Sequence, residues 1–150
     1  VTSERIVRVI DGRRVVTDRA TSERMAGIRQ KDTAPELAVR RVLVAHGLRF
    51  RTHNRDLPGS PDVANRKRKW AVFVHGCYWH RHAGCSKATT PKRNREFWIS
   101  KFEANVARDA RARAELQALG FDVLVVWECE VRSTVCARSI ARFAKRVAPK

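Results

Sequence analysis

Cys77, His82 and Cys85 fall within nine residues of one another, and Cys129 lies just beyond a late apolar run, Phe121 to Trp127. The run Trp70 to His75 ends just before Cys77 in the same way. If the two runs are parallel neighbouring strands, both cysteines emerge at one edge of a sheet. Three thiolates and an imidazole then close a tetrahedral site of the kind Zn²⁺ favours, with no position open to water. Such a site is structural, and it holds a loop that lacks apolar anchors of its own. Cys136 is a rival fourth ligand, although a helix interior suits it as a small buried hydrophobe. The simpler alternative is buried free cysteines and a surface histidine.

A second group mixes carboxylates with imidazoles. Asp62 follows Pro61 where a short strand begins, and His75 closes the next strand. Glu36 sits early in a helix, and His80 lies in the cysteine-bearing loop. A carboxylate facing the end of a neighbouring strand can seat Mg²⁺, which adds phosphate oxygens and water to one or two carboxylates. The ion activates water and neutralises charge developing on a phosphate. His75 and His80 are suited to move protons, because imidazole titrates near neutrality. Each residue also has an ordinary reading: a turn or cap for Asp62, a first-turn acid for Glu36, a satisfied core histidine for His75. Convergence on one sheet edge is what favours the chemical reading.

The elements that must position these groups follow from periodicity and breakers. Arg5 to Ile10 and Arg13 to Thr17 flank Asp11-Gly12, a favoured hairpin turn. Residues 1–17 therefore read as an extension, either a hairpin or a flexible basic arm, ahead of a single domain over 18–150. A short helix is expected near Ser22. The next helix is capped by Asp32 or Thr33, carries Pro35 in its first turn and stops at Gly47. Leu37, Leu43 and Val44 give it an apolar face and Arg40 and Arg41 a basic one. Leu48 to Thr52 alternates as a strand, DLPGSP (56–61) is turn chemistry, and Asp62 to Ala64 begins a short strand. Trp70 to His75 is apolar enough for a buried strand. Asn94 to Leu119 is a long helix, with Phe97, Trp98, Phe102, Val106, Leu116 and Leu119 at helical spacing and Gly120 as the stop. Phe121 to Trp127 is a second buried strand. Thr134 to Val147 is a basic amphipathic helix with Ile140, Phe143, Ala144 and Val147 inward. This order suggests an α/β sandwich around a small mixed sheet.

Composition narrows the partner. The 150 residues carry 32 Lys and Arg against 15 Asp and Glu, a formal +17. Arginine dominates, and it forms the bidentate phosphate contacts and ring stacking that lysine does not. A chain with this excess is expected to bind a polyanion, nucleic acid first. No apolar run approaches the ~20 residues of a membrane span. The first residues have no apolar core of signal-peptide type, and four cysteines are few for a disulfide scaffold. The cytosol, with reduced thiols free to bind metal, is the expected compartment.

The chain resembles the very-short-patch-repair mismatch endonucleases. The likeness runs in order through DRATSERMAGIRQKDTAPE (18–36), LPGSPD (57–62), VFVHGCYWHRH (72–82), REFWISKFEANVARD (95–109) and LVVWEC (124–129). It implies a variant PD-(D/E)xK fold, a nick in one DNA strand 5′ of the thymine in a T·G mismatch, catalytic Mg²⁺ and structural zinc. It implies Asp62 as the magnesium carboxylate, with the main-chain carbonyl of Val74 beside it, where the family usually has Thr. It makes His75 and His80 the active-site histidines and Glu36 the helix glutamate that supports His80. Cys77, His82, Cys85 and Cys129 become the zinc ligands. Tyr78, Trp79 and Trp98 become the aromatics that wedge into the duplex, Tyr78 replacing the usual Phe. Apart from the resemblance, Arg5, Arg8, Arg13, Arg14, Arg19 and Arg24 make the stretch 5–24 a candidate minor-groove or backbone contact with DNA. The extra residue between His82 and Cys85 departs from some members, and Gly84 is placed to absorb it. The resemblance also implies a monomer at the bacterial nucleoid, with downstream repair proteins as further partners.

Two other functions compete with the mismatch nickase. One is a nuclease of the same fold with a different mismatch or a restriction-like site. The other is a zinc-stabilised DNA-binding module without catalysis, against which Asp62, His75, His80 and Glu36 argue.

Overall fold

Two apolar runs form adjacent strands, and the rest of the chain is arranged to cover them. A computed structural model describes residues 4–149. In chain order the elements are β1 (Arg5–Ile10), β2 (Arg13–Asp18), α1 (Arg19–Ala26), α2 (Ala34–Ala45), β3 (Arg51–Thr52) and β4 (Val63–Asn65). There follow β5 (Trp70–His75), α3 (Arg95–Ala118), β6 (Asp122–Trp127), a 3₁₀ turn (Glu128–Glu130) and α4 (Thr134–Val147). β1 and β2 pair as a separate antiparallel ribbon, while the main sheet has the order β3-β4-β5-β6. β3, β4 and β5 are successively antiparallel, and β5 and β6 are parallel, with Val72 opposite Leu124 and His75 opposite Trp127. The α3 crossover is what lets β5 and β6 run the same way. This mixed sheet with flanking helices is a variant of the PD-(D/E)xK architecture.

β5 is buried on both faces, which explains its near-continuous apolar run. Trp70 and Val72 face a core with Val126 and with α2 and α4 side chains, among them Leu43, Ile140 and Phe143. Ala71 and Phe73 face the opposite core, with Leu116 of α3, Phe121 and Val123. Trp70, fully buried, meets Phe143 edge-on at 5.7 Å. Edge-to-face aromatic pairs of this kind add roughly 1 kcal/mol beyond the area they bury.

The expectations differ from the structure at three places. The inward face of α2 is Glu36, Val39 and Leu43, whereas Leu37 and Val44 are 36% and 61% exposed. Only one narrow stripe of α2 meets the sheet, so apolar residues to either side stay in water. β3 is two residues long rather than five; Leu48 is buried ahead of it as a core anchor. On α3, Phe102, Ala112 and Leu116 are buried, but Val106 and Leu119 are 45% and 53% exposed. Of the two alternatives for the extension the structure has the hairpin: residues 5–18 pair as a ribbon closed by Asp11 and Gly12 at positive φ. Among the described residues no helix is long and apolar enough to cross a membrane.

One glycine bears directly on the site. Gly59, at φ +71°, lets the DLPGSP turn press against α3, and a Cβ there would lie 2.5 Å from the Ala112 Cβ. That close approach seats Pro61, fully buried, and sets the start of β4, with Asp62 immediately ahead of it.

Candidate active site and metal centre

The parallel pairing of β5 and β6 brings Cys77 and Cys129 to the same sheet edge. There the ligand atoms of Cys77, His82, Cys85 and Cys129 all lie within 4.8 Å of one another. His82 Nδ1 is 3.6 Å from the Cys77 sulfur and 3.3 Å from that of Cys129. Ions with Zn–S and Zn–N bonds of about 2.3 and 2.0 Å in tetrahedral array put nitrogen and sulfur roughly 3.6 Å apart, so the spacing fits a bound cation. Packing in the cluster, then the neighbouring Cys77 and Cys85 sulfurs, push the Cys129 thiol up to about 12, although the residue itself lies at the surface. A thiol raised this far stays protonated by itself, so a cation would be what makes three thiolates tolerable at this spacing. Gly84 takes up the longer His82–Cys85 spacing at φ +73°, with nothing near its absent Cβ. His82 stacks on Trp127 at 4.3 Å, and its other nitrogen faces Glu130 at 3.8 Å. Cys136 is buried in the core on α4, away from the cluster.

Arg81 ties this loop down. Its guanidinium donates to the carbonyls of Tyr78, Ala88 and Thr89 and to the Thr90 hydroxyl, and lies 4.1 Å from the Phe102 ring. One side chain thereby joins the metal loop to the aromatic base of α3.

Beside the metal centre a cleft of about 890 Å³ is lined by Glu36, Asp62, Val74, His75, His80 and Asp109, with Trp79 and Trp98 among its walls. Asp62 accepts a hydrogen bond from the Val74 N–H at 2.6 Å, which locks the carboxylate against the end of β5. Its pKa is pushed up to about 6, chiefly by burial, opposed by the Val74 N–H and reinforced by the Glu36 charge. A half-buried carboxylate near a second one is a site that gains from a cation. Asp62 and the Val74 carbonyl are donors of the hard oxygen type that Mg²⁺ takes.

His75 and His80 stack with ring centroids 3.9 Å apart and planes 4° from parallel. His80 Nδ1 donates to the Asp109 carboxylate at 2.6 Å. His75 is pushed down to about 4 by burial and then by His80, with Asp109 acting the other way, so it is neutral at pH 7. These three residues are close enough to share an ion. Their geometry opposes it: lone pairs of stacked imidazoles lie in parallel planes, and Asp109 already occupies one nitrogen of His80. The arrangement suits proton transfer, with Asp109 fixing the tautomer and leaving Nε2 as the base.

Glu36 departs from the role the resemblance implied. It does not hydrogen-bond His80. Its carboxylate accepts from the Asp32 N–H at 2.9 Å and the Thr33 hydroxyl at 3.0 Å, and faces Arg40 at 3.5 Å. Thr33-Ala34-Pro35-Glu36 has the capping-box spacing, but the Thr33 side chain caps no N–H of α2, and Glu36 ties down the turn ahead of the helix. Asp109 is the partner that His80 has. A signal for it was available: Trp98, Phe102, Asn105 and Asp109 recur at alternating steps of four and three along α3, which places polar groups on the aromatic face. Asn105 uses that position to donate to the Trp79 carbonyl at 3.2 Å.

Tyr78, Trp79 and Trp98 are each half-buried, and the buried ring beneath them is Phe102. Tyr78 meets Trp79 edge-on at 5.0 Å, and Trp79 lies 6.0 Å from Trp98. Arg19 pairs with Glu23 at 3.0 Å and faces Glu4 at 3.8 Å, both exposed, where such pairs contribute little and can give way to phosphate. Arg24 is exposed in the last turn of α1.

Residues 14–87 match the family described as DNA mismatch endonuclease Vsr. The chain is 48% identical over 120 residues to the type II nicking enzyme V.XorIIP of Xanthomonas oryzae pv. oryzae, covering 77% of this chain and 88% of that one. It is 42% identical over 118 residues to the DNA mismatch endonuclease Vsr of Escherichia coli, covering 78% and 75%. The type II nicking enzyme V.NmeAIP of Neisseria meningitidis is 39% identical over 124 residues, covering 82% and 88%. The chain belongs to the Vsr family.

As a Vsr-family protein it is a DNA endonuclease, and its partner is DNA. The +17 charge is the electrostatic counterpart of that assignment. The non-catalytic binding module is thereby set aside.

Proposed function

We propose that this Vsr-family enzyme nicks one strand of duplex DNA 5′ of the thymine in a T·G mismatch left by 5-methylcytosine deamination, so opening a short repair patch. The observation that carries this reading is the half-exposed pair Trp79 and Trp98 on the wall of a cleft that also holds Asp62, His75 and His80. Flat rings beside a hydrolytic centre suit a substrate whose stack must be opened. Opening a base step requires a few kcal/mol, part of which stacking on the rings returns. A T·G wobble stacks and pairs less well than a Watson–Crick pair, so opening beside it requires less. Relatives named as nicking enzymes support cleavage of a single strand.

In this reading Asp62 and the Val74 carbonyl hold Mg²⁺, which supplies charge neutralisation at the scissile phosphate and a more acidic water. His80 Nε2 takes the water proton while Asp109 holds the ring, and neutral His75 supports it by stacking. Cys77, His82, Cys85 and Cys129 hold zinc, which keeps Tyr78 and Trp79 on their loop. Glu36 contributes through the start of α2 and through its charge near Asp62. Arg19 and Arg24 contact phosphates. Residues 18–150 act as one endonuclease domain, a monomer working at the bacterial nucleoid ahead of other repair proteins.

The test is nicking of T·G, T·C and fully paired duplexes in Mg²⁺ and in EDTA. Cleavage of the paired duplex as fast as T·G would sink the mismatch reading. Trp79→Ala is expected to keep fold and metal while losing the T·G preference and most of its rate. A large drop in melting temperature with selectivity intact would mean Trp79 serves the core. Asp109→Asn is expected to slow single-turnover nicking by roughly a hundredfold with DNA affinity unchanged, since general-base catalysis is worth about that much. A rate equal to wild type would remove His80 from proton transfer.

A further inference from the structure

The β1–β2 ribbon is not accounted for by the nicking chemistry. β1 lies ahead of the residues matched to the Vsr family, so nothing about it is inherited from that match. Its register sets Arg8 opposite Val15 and Ile10 opposite Arg13. Because side chains alternate along a strand, Ile6, Arg8, Ile10, Arg13, Val15 and Thr17 share one face. Arg8, Ile10, Val15 and Thr17 of that face line the same cleft as Asp62, His75 and His80. The ribbon is therefore a wall of the DNA-cutting cleft, and it presents arginine toward it.

Its attachment buries Val15 and half-buries Ile6, Ile10 and Thr17 on that face, while the two arginines at its rim stay exposed. The ribbon is held through β2, where Asn94 donates to the Val16 carbonyl at 2.9 Å and Arg93 faces Asp18 at 3.6 Å. Val15 is its buried anchor, at 4% exposed. Arg8 and Arg13 are exposed, and neither has an ion-pair partner among the described residues. A two-stranded ribbon is the β element that the major groove of B-DNA admits, and arginine bidentate to guanine O6 and N7 is the commonest specific contact there. Arg8 and Arg13 are diagonal cross-strand neighbours, roughly 7–8 Å apart by sheet geometry. That is about two base steps at 3.4 Å each.

We infer that the β1–β2 ribbon enters the major groove beside the nick and reads flanking base pairs through Arg8 and Arg13. The inference rests on the reading of the cleft as the nicking site, and it adds a sequence-context reader separate from the mismatch wedge. The ribbon then confers preference at two positions about two steps apart, while the aromatic rings respond to the weak pair itself.

The test uses the full chain, metal-loaded, with Asp62→Asn so that duplexes are bound without being cut. Two pools of duplexes, one with a central T·G and one with T·A, carry randomised flanking pairs; bound molecules are sequenced. Arg8→Lys and Arg13→Lys keep the charge and lose the fork, so each is expected to flatten preference at its own position. The expected loss is about tenfold to a hundredfold, with other positions and the salt slope unchanged. Replacing guanine by 7-deazaguanine at the affected position should reproduce the loss. The inference is overturned if both lysine variants keep the full flanking preference, or if Arg8→Ala and Arg13→Ala weaken every sequence equally and lower the salt slope, as phosphate contacts would. If T·G is not enriched over T·A but the flanking preference persists and depends on Arg8, the mismatch reading falls and the ribbon inference stands.

Discussion

Asp62→Asn is expected to abolish nicking and, in Mg²⁺-free buffer above pH 7, to melt at a higher temperature than wild type. The two effects share one cause. Asp62 is pushed up to about 6 by burial, against an ordinary value of 3.8, so its ionised form is the one the fold disfavours. A group whose folded pKa is raised stabilises the protein fully below its unfolded pKa, and that contribution is lost as pH rises through the folded value. Above about pH 6 wild type therefore carries an ionised, half-buried carboxylate that costs on the order of 2 kcal/mol. Asparagine removes the charge and keeps an oxygen to accept the Val74 N–H. For a chain of this length the gain is roughly 4–8 °C, vanishing below pH 4. Nicking is expected to fall about a thousandfold or more, because several kcal/mol of metal-borne stabilisation leave with the carboxylate. Chelators must be kept out of the melting buffer, since they would also strip the Cys/His centre. An Asp62→Asn protein that melts below wild type, or that nicks within tenfold of it, would show that the carboxylate is a structural cap.

Cys129→Ser is expected to lose the zinc and the fold together. Cys129 stands just beyond β6, whereas Cys77, His82 and Cys85 lie in the loop after β5, so an ion held by all four would join segments distant in sequence. Structural zinc contributes an apparent ~10–16 kcal/mol at neutral pH, as much as the whole stability of a typical domain. Serine does not ionise at that pH and supplies no thiolate. Elemental analysis of wild type should give one zinc per chain, and Cys129→Ser should give little and show no cooperative melting. Cys136→Ala supplies the contrast: it removes a buried core sulfur, should cost about 1–2 kcal/mol and should keep the zinc. Folded, active Cys129→Ser, or wild-type protein without zinc, would overturn the assignment.

Much of the frame was legible because it depends on local pattern. The apolar run Trp70–His75 forms a strand buried on both faces, and Thr134–Val147 forms a helix with its named residues inward. The Asp11-Gly12 turn was visible because few residues tolerate the backbone it requires. The clustering of Cys77, His82, Cys85 and Cys129 was readable because their residue types and spacing suit tetrahedral metal ligation. The faces of α2 and α3 were less so. Leu37, Val44, Val106 and Leu119 satisfy a helical period, yet a helix resting on a sheet by a narrow stripe leaves them in water.

What the amino-acid sequence determined alone was the inventory: the three cysteines and the histidine that could hold a metal, the two further histidines, the lone carboxylate after Pro61, the aromatic trio and the charge that suits DNA. Tertiary structure decided who partners whom. Nothing local distinguishes Glu36 from Asp109 as the support for His80; both are acids on helices. Glu36 is drawn to the Asp32 N–H and the Thr33 hydroxyl just ahead of its own helix, while Asp109 reaches His80 only because the α3 crossover lays its aromatic face along the cleft. The same holds for the ribbon, whose sequence is that of any basic hairpin. Its arginines acquire a direction only when Asn94 and Arg93 fasten β2 beside the catalytic cleft, because a contact between groups far apart in the chain is set by packing, and packing is not written in any one segment.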